Sequence, residues 1–200
     1  MRVSHWLLPV TTLGPGRRLA VWLQGCSHHC CGCVSPELQQ PGGIEYHVEE
    51  LAQFLNRQMK LHSLDGITIS GGEPFDQAME LLELCSFLEY KDILVYSGYT
   101  AQELYATYRN ELRDSPIGVL ITGPYIEELD DDQPLRGSSN QEILFQRPDL
   151  QEKYHQYLDT SVRKQQFFIQ SSVIYMAGLP PAGKAQTIRD TITNVMEEQT

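Results

Sequence analysis

The sequence predicts an α/β fold built on a mostly parallel sheet that curls into a partial (β/α) barrel. Three observations carry this reading. Short apolar, strand-like runs alternate with amphipathic helical stretches, the pattern that produces parallel strands joined by helices. The strand-like runs end at glycine-rich turns, so the chemically distinctive residues collect on one rim of the sheet. Successive crossovers of this kind are right-handed, which bends the sheet steadily in one direction.

The first strand-like run, RLAVWLQ, covers residues 18–24 and ends at Gly25, immediately before a cysteine-rich loop. Residues 47–61 then place Val48, Leu51, Ala52, Leu55 and Met59 on one helical face. A second strand, Ile67 to Ser70, stops at Gly71-Gly72. A second helix over residues 77–89 carries Leu81, Leu82, Cys85 and Leu88 at helical spacing, and a third strand covers Ile93 to Ser97. Thr100 and Glu103 form a capping box for a third helix that turns Leu104, Tyr108 and Leu112 inward. A fourth strand, Ile117 to Thr122, ends at Gly123. The ends at Gly25-Cys26, Gly71-Gly72-Glu73-Pro74, Ser97-Gly98-Tyr99 and Gly123-Pro124 therefore share the C-terminal rim, where such sheets bind ligands.

Beyond Pro124 the pattern weakens. The acidic run Glu127, Glu128, Asp130, Asp131 and Asp132 reads as a solvated loop. A loop at residues 136–141 leads to a strand at Ile143 to Phe145, residues 166–176 suit a hairpin, and residues 184–197 suit a terminal helix. Residues 177–183, with Pro180, Pro181 and Gly183, lack the glycine spacing of a phosphate loop and read as a turn.

Two hundred residues with 41% hydrophobic content and no internal repeat suit one domain, with its core in residues 11–145 and an extension of unassigned role over residues 147–200. The net charge of −11 repels nucleic acid and anionic membranes, so neither is expected as a partner. The apolar N-terminal stretch is short and broken by Pro9 and Gly14, which argues against a signal peptide or membrane anchor and for a cytoplasmic protein.

Four of the five cysteines fall between residues 26 and 33. In a reducing compartment such clustering points to a metal rather than to disulfides. Cys26, Cys30 and Cys33 have the spacing CxxxCxxC. Three thiolates on one tight loop suit an iron-sulfur cluster and leave one iron open to an outside ligand. Spacing alone also permits a zinc site completed by His28, His29 or Cys31, or a CxxxxC pairing through Cys31. No second CxxC or HxxxH occurs downstream to close such a site. Cys85, on an apolar helical face, reads as core, and His28 and His29 as loop residues.

CxxxCxxC after a first strand, followed by Gly71-Gly72-Glu73-Pro74 after a second, resembles the paired signatures of the radical S-adenosylmethionine (SAM) superfamily. Gly14-Pro15-Gly16-Arg17-Arg18 resembles the GPGxR segment of glycyl-radical-enzyme activases. Ser97-Gly98-Tyr99-Thr100, Ile121-Thr122-Gly123-Pro124-Tyr125 and Arg136-Gly137-Ser138-Ser139-Asn140-Gln141 resemble further blocks of those activases that serve anaerobic ribonucleotide reductase. The resemblance spans about residues 11–145 and implies a partial barrel of the radical SAM type. It departs at Leu13, where the family has aspartate, and at Gly32, where the superfamily often has an aromatic residue.

The resemblance implies that Cys26, Cys30 and Cys33 hold a [4Fe-4S] cluster and are essential to catalysis. It implies that Gly71, Gly72, Glu73 and Pro74 receive the SAM amino group through the turn's backbone and the Glu73 carboxylate, which can take an ammonium hydrogen bond, with Ser97 and Gly98 beside the ribose or methionine part. The strand-end amides and carbonyls of this turn read as unpaired. The reaction implied is reductive cleavage of SAM to a 5′-deoxyadenosyl radical that takes hydrogen from a glycine of a partner enzyme. A small-molecule or peptide hydrogen donor is the alternative. The implied electron donor is flavodoxin-like or ferredoxin-like, and Arg17-Arg18 is the expected basic docking spot for so acidic a partner.

Overall fold

The computed structural model describes residues 1–170 and 173–197. Its centre is an open seven-stranded sheet with β1 (Arg2–Val10), β2 (Arg18–Leu23), β3 (Ile44–Glu45), β4 (Gly66–Gly71), β5 (Ile93–Tyr96), β6 (Val119–Thr122) and β7 (Glu142–Phe145), in the order β3-β1-β2-β4-β5-β6-β7. The four central strands β2, β4, β5 and β6 are parallel neighbours in chain order. The flanks are antiparallel: β1 pairs with β2 and β3, and β7 pairs with β6. The fold is therefore a mixed α/β sheet with a parallel centre, and no strand joins its two edges among the described residues.

Helices α1 (Val48–Leu61), α2 (Ala78–Phe87) and α3 (Ala101–Asp114) form the crossovers. Leu51, Leu55 and Met59 of α1, Leu81, Leu84 and Cys85 of α2, and Leu104 and Leu112 of α3 pack on Leu19, Val21, Ile67, Ile69, Ile93 and Val95. The i, i+3, i+4 spacing of the helices meets alternate residues of the strands, which is why one continuous core results. Cys85 is fully buried there, as its helical position predicts. Thr100 and Glu103 make the full capping box. Tyr108 lies where α3 departs from helical geometry, and it only partly joins the core.

Strands β1 and β3 and a helix α4 (Gln151–Thr160) are additions to the sequence reading. α4 covers the sheet face opposite α1–α3 with Tyr154, against Leu94, Val119 and Leu150. A hairpin, β8 (Gln165–Gln170) with β9 (Val173–Gly178), covers the rest of that face: Phe168, Tyr175 and Ala177 pack near Leu7, Val10, Leu13, Ala20 and Trp22. A last helix, α5 (Ala185–Glu197), follows. The expected hairpin and terminal helix thus occur within two residues of their predicted bounds, apart from residues 171, 172 and 198–200, which lie outside the described set.

The Arg17-Arg18 docking spot is not supported. Arg18 begins β2, so it sits at the opposite end of that strand from the cysteine loop, about 17 Å away at 3.3 Å per residue. It is fully buried and donates to Thr68 Oγ1, to the Pro15 and Ile67 carbonyls, and to both the carbonyl and carboxylate of Asp92. Asp92 also accepts from Lys153 and from Tyr154, at 2.6 and 2.7 Å. This network closes the base of the sheet. Leu13, the departure from the activase pattern, is a core residue whose carbonyl accepts from Thr68, so its identity does not touch the rim chemistry. No helix among the described residues is long and apolar enough to cross a membrane.

Candidate functional site

At the other rim, the turns after β2, β4, β5 and β6 surround one pocket. Cys26, Cys30 and Cys33 form one side of it, with Gly71, Gly72 and Glu73 beside them. Ser97, Gly98, Gly123 and Gln141 continue the wall. The three spaced cysteines are free thiols facing this shared space, whereas Cys31 is exposed and off the wall. Among the described residues, no three His, Cys, Asp or Glu side chains gather in a form that could hold one metal ion.

Burial pushes the Cys26 and Cys33 thiols above their ordinary value, against the opposing pull of backbone N–H groups of His28 and His29 on Cys26 and of Ser35 on Cys33. Such thiols stay protonated until a cation draws the proton off, and iron is such a cation. Soft sulfur donors at this spacing fit a cuboidal cluster, which asks for one thiolate on each iron rather than several on one ion.

The sheet places the cysteine loop against the GGEP turn by backbone contact. The Gly72 amide donates to the Leu23 carbonyl and the Glu73 amide to the Gly25 carbonyl, both at 2.8 Å. A side chain at Gly72 would put its Cβ 1.9 Å from the Gly25 carbonyl oxygen, so only glycine permits this approach. The reading of these strand-end amides as unpaired is therefore corrected: they are committed to the chain itself.

Glu73 is also committed. It is 1% exposed, and its carboxylate accepts from the Phe75 amide at 2.9 Å, the Ser97 hydroxyl at 2.9 Å and the Gly98 amide at 2.6 Å. Burial nevertheless dominates and pushes its carboxyl up to about 7. Glu73 therefore ties the turn after β4 to the turn after β5. Pro74 starts the one-turn helix that follows, and is buried.

Three participants escaped the sequence reading. Asp76 accepts from the Ser27 amide and hydroxyl, each at 2.8 Å, and from the Tyr99 hydroxyl at 3.0 Å, latching the cysteine loop to both neighbouring turns. His28, read from sequence as a loop residue, lies in the pocket wall. Its ring stands edge-on to Tyr99 at 4.5 Å, and its buried Nε2, 3.5 Å from a Glu73 oxygen, makes no hydrogen bond. Asp130 belongs to the acidic run expected to be solvated, yet it is almost fully buried in an ion pair with Arg163 at 2.7 Å and lines the pocket. Its partner lies 33 residues downstream, too far for spacing to reveal.

A loop of three spaced thiolates beside a glycine turn, on the ligand rim of an α/β sheet, defines an iron-sulfur cluster protein. The chain belongs to the 4Fe-4S single cluster domain family, whose model matches residues 12–144. It is similar to the anaerobic ribonucleoside-triphosphate reductase-activating protein of Salmonella typhi, 29% identical over 150 residues that cover 70% of this chain and 96% of the relative. The proteins of the same name from Vibrio cholerae and Escherichia coli K12 are 30% and 28% identical over 149 residues, with 70% of this chain covered and 95% and 96% of the relatives.

Proposed function

We propose that this chain is a radical SAM activase that installs a glycyl radical on a partner enzyme, an anaerobic ribonucleotide reductase. The observation that carries the reading is the single pocket shared by Cys26, Cys30, Cys33 and the turn that begins at Gly71-Gly72-Glu73. In this reading Cys26, Cys30 and Cys33 would hold a [4Fe-4S] cluster, which would supply the one-electron reduction that cleaves SAM to methionine and a 5′-deoxyadenosyl radical.

The residues then divide the remaining work. The Gly71 and Gly72 carbonyls would accept from the SAM ammonium, which needs oxygen acceptors, while the Gly72 and Glu73 amides donate to the Leu23 and Gly25 carbonyls and hold the turn in place. Glu73 acts through its neighbours: it fixes Ser97 and Gly98 beside the ligand. Gly32 borders the pocket at a φ of +70°, a backbone conformation that disfavours any side chain, so no aromatic residue at this position flanks the adenine. The pocket wall excludes water from the radical. We further infer one cytoplasmic domain, a sheet curved as a partial barrel, and a flavodoxin-like or ferredoxin-like electron donor.

Anaerobic reconstitution tests this. With a reductant, the holoprotein yields 5′-deoxyadenosine from SAM, and deuterium from an α-deuterated glycyl-radical reductase appears in it. A holoprotein that cleaves SAM but takes no deuterium from any such reductase supports a small-molecule or peptide donor instead. That second reading is favoured by the pocket wall contributed from beyond residue 147.

A further inference from the structure

The family match ends at residue 144, and the curated relatives are almost wholly covered by about 150 aligned residues, so the segment after β7 is an addition to the shared core. It does not hang free. Arg163, Leu179, Pro180 and Ala185 line the same pocket as the cysteines. Arg163 is nearly buried and gathers three separate stretches: it pairs with Asp130 and donates to the carbonyls of Gln133, Arg136, Gly137 and Pro180 at 2.8–3.1 Å. From α5, Arg189 donates to the Cys33 carbonyl at 2.7 Å, and the Ala182 amide donates to Asp132 at 2.8 Å.

We propose that residues 147–170 and 173–197 are a specificity wall of the reaction chamber, pinned by Arg163 and Arg189, that governs which hydrogen donor reaches the pocket and how far the cysteine loop opens. Arg163 and Arg189 are positioning residues: neither needs to touch the reacting atoms. A single guanidinium that satisfies four carbonyls and a carboxylate holds its segments in one arrangement, because dropping it leaves the half-buried acceptors on Asp130, Arg136, Gly137 and Pro180 short of a donor. Arg189 reaches the backbone of the third cysteine itself, so α5 and the cysteine loop move together. The family match ends before this wall, so the wall would set donor access in this chain apart from the shared core.

This inference rests on reading the pocket as the cluster and SAM site, and its test keeps the two apart. Reconstituted wild-type holoprotein is compared with Arg189→Ala, Arg163→Lys and the double variant Asp130→Asn/Arg163→Met, which removes both charges of the buried pair. Readouts are iron content, SAM affinity by equilibrium dialysis, iron loss to a ferrous chelator, and KM and kcat for hydrogen abstraction from a peptide that carries the glycine-containing sequence of a glycyl-radical site. The expected result is iron content and SAM affinity within about twofold of wild type in Arg189→Ala with iron loss about threefold or more faster, and a peptide KM changed severalfold in the Arg163 variants, by more than any change in kcat. Unchanged iron loss and unchanged KM in all three would overturn the wall. If the wild type itself holds no cluster or binds no SAM, the functional reading fails first, and the rate of Cys33 alkylation in the cluster-free chain still tests Arg189: faster in Arg189→Ala supports the wall and an equal rate overturns it.

Discussion

Replacing Glu73 by glutamine keeps the shape of the side chain and removes its charge, which separates the two roles of this residue. The carboxyl is pushed up to about 7 by burial, from 4.5 in the open chain. Between those values the folded protein holds the proton and the unfolded chain does not, so the group's contribution is fully present below pH 4.5 and is lost as pH rises through 7. At about 1.4 kcal/mol for each factor of ten in proton affinity, the loss is about 3 kcal/mol. Other carboxylates titrate in the same range, so the wild type is compared with Glu73→Gln by urea denaturation of the cluster-free, reduced protein at about pH 5 and pH 8. The stability of the wild type minus that of the variant should fall by about 3 kcal/mol from the lower to the higher pH. A difference that stays constant, or grows with pH, would refute the claim that desolvation outweighs the three hydrogen bonds at Glu73.

Gly72→Ala forces a Cβ to within 1.9 Å of the Gly25 carbonyl. It should cost about 3 kcal/mol or more in urea denaturation and reduce iron uptake on reconstitution, because the same backbone holds the cysteine loop. Arg18→Met leaves Asp92 buried with one cation fewer and should cost about 3–5 kcal/mol, while the iron content of the folded fraction stays at the wild-type value because the network lies at the far end of β2. In the native cluster-free chain at about pH 8, iodoacetamide should label exposed Cys31 quickly and leave Cys85, whose thiol is pushed up to about 12 by burial, unlabelled until unfolding; mass spectrometry reads both.

The parallel centre of the fold was legible because each of its strands ends at a glycine and each crossover helix carries its apolar residues three and four apart. β1 was missed because His5, Trp6 and Pro9 interrupt its alternation; in the fold, His5 stacks on Trp22 at 4.7 Å, a cross-strand contact that a one-dimensional pattern does not show. α4 was missed because, of its residues, only Tyr154 is fully committed to the core, so it lacks an apolar stripe. At the site, cysteine spacing and the GGEP turn were readable since they are contiguous. Asp76, His28 and Asp130 were not, because each owes its place to a partner distant in sequence: Ser27 and Tyr99 for Asp76, the Tyr99 ring for His28, and Arg163 for Asp130. Arg18 shows the converse error, in which adjacency in sequence to the cysteine loop stood in for adjacency in space, although a whole strand intervenes.

The central claim is that Cys26, Cys30 and Cys33 together hold a cluster that cleaves SAM beside the glycine turn. Its most direct test is 5′-deoxyadenosine formation by the anaerobically reconstituted, dithionite-reduced protein, measured with its iron content in the wild type and four cysteine variants. The account predicts about four irons per wild-type chain and release of 5′-deoxyadenosine. It predicts loss of both in Cys26→Ala, Cys30→Ala and Cys33→Ala, and retention of both in Cys31→Ala. An intact cluster that leaves SAM uncleaved, or a Cys30→Ala protein that performs as well as Cys31→Ala, would contradict it.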